Sequence, residues 1–60
     1  MRQDKFAEAA ELQAEVLEAK RRVLGAEHRD TLAAAKNLAV TYHELGQDAR
    51  AVELRTLYNR

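Results

Sequence analysis

Apolar residues recur along this chain at intervals of three and four, and glycine interrupts them at only two positions, 25 and 46. Ahead of Gly25, one row runs through Ala9, Leu12, Val16, Ala19 and Val23, with a second row of Ala10, Leu17 and Leu24 beside it. That spacing returns to one face of a helix with about 3.6 residues per turn, so it predicts a helix over residues 4–24. Lys20, Arg21 and Arg22 near its end suit the negative pole of the helix dipole, and Gly25 can take the left-handed conformation that closes it. Residues 26–29 form a short connection. Asp30 is placed to cap a second helix over 31–45, in which Leu32, Ala35, Leu38, Ala39, Tyr42 and Leu45 share a face and Lys36, Val40, His43 and Glu44 lie off it. Gly46 supplies its stop. Asp48 can cap a third helix over 49–59, with Ala51, Leu54 and Tyr58 as the buried row and Val52 and Leu57 on its flank. Connections this short demand antiparallel packing, so the fold class is all-α with three antiparallel helices.

Composition narrows the function classes. The chain has 60 residues, 47% of them apolar, with ten Lys+Arg against ten Asp+Glu and no Cys, Pro or Trp. A single domain of this length buries only about 60% of its unfolded surface, so its stability is marginal. Residues 1–30 hold six basic and seven acidic side chains and residues 31–60 hold four and three, which leaves no tail of one sign. A balance of this kind argues against nucleic-acid binding, which needs a basic excess to displace counterions from phosphates. The longest apolar run, residues 32–35, is four residues and far too short for a membrane span, and the start carries no secretory signal. Lack of cysteine excludes thiol redox chemistry and zinc-thiolate sites, and with the missing signal it points to a cytoplasmic protein.

Shifting the sequence by 42 residues lays Ala7, Ala9, Glu11 and Leu12 on Ala49, Ala51, Glu53 and Leu54. Both segments open a helix with small residues where two helices must approach closely, followed by a leucine. The stretch Val23-Leu24-Gly25-Ala26-Glu27-His28-Arg29-Asp30-Thr31-Leu32, then Asn37-Leu38-Ala39-Val40-Thr41-Tyr42, Leu45-Gly46 and Ala51-Val52-Glu53-Leu54, resembles the 42-residue tetratricopeptide repeat of the kind found in kinesin light chains. This resemblance implies about one and a half repeats of an α-solenoid: residues 4–24 as the second helix of a preceding repeat, and 30–59 as one helix-turn-helix repeat. Arg29 stands where the family usually has Pro, and Asp48 where an aromatic such as Phe6 usually wedges between helices. The resemblance gives His28 a structural role in the first connection, its ring bonding backbone or packing across the turn. The ending of the chain suggests a terminal, degenerate or excised repeat.

Repeat hairpins bury their apolar faces against neighbours, and fewer than three are normally too few for a stable stack. The Ala10, Leu17 and Leu24 row is therefore expected to be unpaired, and the chain to self-associate through that exposed helix flank or to melt without cooperativity.

Catalytic chemistry finds no foothold. His43-Glu44 begins like a zinc-binding H-E-x-x-H, but position 47 is Gln. His28 and His43 sit ~20 Å apart along a helix, too far to share a metal. Glu11 and Glu15 are an exposed helical pair of the usual solvated kind. The chain has no Ser, no Cys and no glycine-rich phosphate loop, and Thr31, beside a helix start, is better explained as a capping residue. No nucleophile, base and oxyanion donor can be assembled, so neither an enzyme nor a cofactor site is expected.

Binding is what remains. In the arrays this chain resembles, first helices of successive repeats line a groove that receives an extended peptide. That resemblance places Ala33, Lys36, Asn37, Val40 and Glu44 on the groove face, with Asn37 bonding a peptide backbone and Lys36 pairing with a carboxylate. The expected partner is a protein or peptide. Two alternatives stand beside this reading: a structural remnant of a longer array with no partner of its own, and a small helix-turn-helix DNA reader. Against the second, the third helix carries only Arg50 and Arg55, offset in part by Glu53.

Overall fold

A computed structural model describes residues 3–58. It contains three helices, α1 (Gln3–Leu24), α2 (Arg29–Glu44) and α3 (Asp48–Tyr58). The third helix, expected to reach 59, is described to Tyr58, and Asn59 lies outside the described residues.

Both glycines do what their positions predict. Gly25 has φ +97° and Gly46 φ +81°, the left-handed region that an L side chain adopts only at a cost. At the first, the Gly25 N–H returns to the Arg21 carbonyl at 3.0 Å, a single bond that closes α1. At the second, the Gly46 N–H reaches the His43 carbonyl at 3.0 Å and the Gln47 N–H the Tyr42 carbonyl at 2.8 Å. That pair of bonds is a Schellman motif, which satisfies two carbonyls at the end of α2 and turns the chain back within three residues.

The helix starts depart from expectation. Asp30 lies inside α2, and the N-cap is His28, whose Nδ1 accepts the Asp30 N–H at 3.0 Å. A histidine can accept there because its unprotonated ring nitrogen substitutes for the usual carboxylate or hydroxyl oxygen. Thr31 is no cap either: it is fully buried in the first turn, and its hydroxyl has no partner. Asp48 is the first residue of α3 rather than flanking it, and its carboxylate meets His43 instead, Oδ1 to Nδ1 2.7 Å.

α2 is the centre of the structure. α1 and α3 each pack on it, and Leu17 of α1 and Leu54 and Leu57 of α3 line a cleft that all three helices share. The overall dimensions are 35 × 19 × 12 Å, the longest matching the length of α1. The core joins Ala10 and Leu17 of α1 to Ala35 and Leu38 of α2, with Leu45, Leu54 and Tyr58 packed around them. The expected α2 face is observed: Ala35, Leu38 and Ala39 are buried, Leu32, Tyr42 and Leu45 partly so, and Lys36, Val40, His43 and Glu44 exposed.

On α1 the expectation is reversed. Ala10 and Leu17, from the row expected to be unpaired, are buried against α2, while Leu12, Val16 and Val23 of the other row lie open. Both rows have helical spacing, and the packing of α2 selects the one through Ala10 and Leu17. Leu24, from the same row as Ala10 and Leu17, stays exposed at the end of α1.

Candidate interaction surface

The middle helix presents a continuous open stripe. At about 100° per residue, Ala33, Lys36, Asn37, Val40 and Glu44 fall within a sector of about 100° of the α2 circumference. All five are exposed. Opposite this stripe, Thr31, Ala35, Leu38 and Ala39 point into the packed side, which fixes the rotation of the helix. Thr41, also buried, turns its Oγ1 back to the Asn37 carbonyl at 3.2 Å, a local bond that satisfies the hydroxyl inside the helix. The Asn37 side chain takes no part in that bond and remains open to solvent.

Two grooves flank the stripe. The first, about 440 Å³, lies between α1 and α2 with Leu12, Val16, Ala33 and Ala34 as its apolar walls. Its rim mixes signs, Lys20 against Asp30, with Asn37 beside them. Gln13 also lines it, and the Gln13 Oε1 is buried without a hydrogen-bond partner. The second groove, about 600 Å³, lies between α2 and α3 and includes Lys36 and Val40. Thus the five positions do not share one pocket: Ala33 and Asn37 face α1, and Lys36 and Val40 face α3, while Glu44 lines neither groove.

Fixed interactions elsewhere brace this surface. The Arg50 guanidinium carbon sits 5.8 Å from the centre of the Tyr42 ring and ties the start of α3 to the end of α2. The His43–Asp48 contact spans the same turn, with both side chains about two-thirds exposed, so solvent limits its contribution. By its spacing His43 reads as a surface residue off the buried face of α2. The five-residue separation across Leu45-Gly46 was the available signal, because a Schellman turn brings those positions together.

Among the described residues no group of three His, Cys, Asp or Glu side chains is arranged to hold a metal ion. No helix among them is long and apolar enough to cross a membrane.

A family model described as tetratricopeptide repeat matches residues 1–54. The chain belongs to the tetratricopeptide repeat family. Its three-helix, strand-free architecture among the described residues is that of the family's helical hairpins. Tetratricopeptide repeats are in general protein-interaction modules rather than enzymes. No match was found among curated proteins or among solved structures.

Proposed function

We propose that this tetratricopeptide chain is a non-catalytic scaffold that receives a peptide or a neighbouring repeat on the open stripe of α2, through Ala33, Lys36, Asn37, Val40 and Glu44. The observation that carries the reading is the coincidence of that stripe with two partly apolar grooves, so that a ligand on α2 can bury side chains on both sides. In this reading α1 is the second helix of a preceding repeat, residues 30–59 form one whole repeat, and the repeats are of the kinesin-light-chain type. The ordered run from Leu24-Gly25 through His28, Asp30, Thr31 and Leu32 supports that subtype. Free side-chain amide and ammonium groups at Asn37 and Lys36 supply a bond to peptide backbone and a partner for a carboxylate.

Peptides selected on the chain from a random displayed library, followed by amide shift mapping, test the proposal. Shifts are expected at positions 33–44, with binding weakened about tenfold by Lys36→Ala together with Asn37→Ala. Binding that maps to the outer face of α3, or is untouched by the double substitution, would favour a structural remnant instead.

A further inference from the structure

We infer that a second copy of this chain docks its α1 into the groove between α2 and α3, an inference that rests on the interaction role proposed above and names a partner for it. The chemistry of the groove sets the requirement. Leu32, Val40, Leu54 and Tyr58 supply apolar walls, and among the described residues the charged side chains lining it are Lys36 and Arg55. Both are exposed, and neither forms an ion pair among the described residues. An occupant that complements this groove brings apolar side chains with carboxylates alongside.

The chain itself carries that combination on α1. Leu12 is 63% and Val16 48% exposed. Glu8, Glu11 and Glu15 are exposed on one side of them, again without an ion pair among the described residues. Helix spacing puts these carboxylates along one edge of the apolar row, where a single docked helix can meet both walls and cations.

Internal register makes the fit more specific. The displacement of 42 residues lays Ala9, Leu12 and Val16 on Ala51, Leu54 and Tyr58. In α3 that row is the packed one: Ala51 is buried, and Leu54 and Tyr58 join the core cluster. The open row of α1 therefore has the spacing of a row already seated against α2 in the same fold. A formal net charge of zero means that no overall repulsion opposes the meeting of two copies.

The contact is heterologous, since ridge and groove are different patches of one chain. Two copies can exchange α1 reciprocally, or successive copies can add in series.

Sedimentation of the whole chain over a wide concentration range tests this directly, using charge-reversed variants. The unaltered chain gains mass with concentration. A ridge variant, Glu8→Lys with Glu15→Lys, and a groove variant, Lys36→Glu with Arg55→Glu, each lose about tenfold or more in association constant. Mixed in equal amounts, the two variants recover association, because each ridge then meets a groove of opposite sign. Circular dichroism verifies that helicity is kept; should a reversed variant lose it, the Gln substitutions at the same positions replace it, with the same direction of effect. A chain that stays monomeric throughout overturns the inference, while the library peptides still report separately on the α2 stripe. Self-association that survives groove reversal overturns it in favour of α1 pairing with α1, and failure of the mixture to recover overturns it as well.

Discussion

His28 Nδ1 accepts the Asp30 backbone N–H at 3.0 Å, so the start of α2 is held by an imidazole reaching two residues forward. The ring must then carry its hydrogen on Nε2, because a protonated Nδ1 is a donor. Removing the acceptor leaves one of the free amides of the first turn without a protein partner. His28→Ala is expected to lower stability by about 1 kcal/mol, and His28→Asp or His28→Asn to restore most of it. Urea midpoints for the three variants check this; equal midpoints for alanine and the unaltered chain would contradict the capping role.

Thr31 sits a few residues on, with its hydroxyl fully buried and without a partner. An unsatisfied hydroxyl in such a place costs about 1–3 kcal/mol relative to leaving it in water. Thr31→Val exchanges the hydroxyl for a methyl of nearly the same shape, so the melting temperature should rise. Thr31→Ala removes the same polar atom and leaves a void, so its gain should be smaller or negative. Thermal melts of the pair separate the two terms.

Buried and exposed leucines should respond differently to truncation. Leu38 is 2% exposed at the meeting point of α1 and α2 packing, and Leu12 stands mostly in solvent. Leu38→Ala is expected to cost about 2–5 kcal/mol, which is comparable with all the stability a core of this size supplies, about 3–5 kcal/mol. Loss of most helicity at room temperature should follow. Leu12→Ala should change the stability of a dilute chain by no more than about 0.5 kcal/mol. Far-ultraviolet circular dichroism at low concentration makes the comparison, and a large effect at Leu12 would mean that the open row of α1 is covered.

Much of this arrangement is legible in the sequence because single residues decide it. Gly25 and Gly46 mark both turns, and the α2 row of Ala35, Leu38 and Ala39 is buried as its spacing requires. The errors fall where two answers share one periodicity. Two apolar rows run along α1, and only the approach of α2 selects Ala10 and Leu17 over Leu12 and Val16. Likewise Asp30 is the better cap by residue type, yet the chain enters α2 two residues earlier and leaves that task to His28. The candidate stripe was legible as a set of exposed positions. Its division between two grooves was not, since that depends on where α1 and α3 lie around α2.

α3 should be the first element to open. It has 11 residues, a length at which an isolated helix is marginal in water, and Ala51 is its only buried residue among those described. α2 has five buried residues and is gripped from both sides. Because the backbones of α1 and α3 each approach α2 and not one another, release of α3 leaves the packing of α1 on α2 in place, so the opening need not carry the rest of the structure with it. Amide hydrogen exchange under native conditions should therefore show two levels of protection. Amides at the centre of α3 are expected to exchange about tenfold or more faster than those near Leu38 and Ala39, corresponding to a gap of about 1.4 kcal/mol or more. A single protection level shared by the centres of all three helices would mean that the structure opens as one unit, and that contacts beyond those of α2 hold α3 in place.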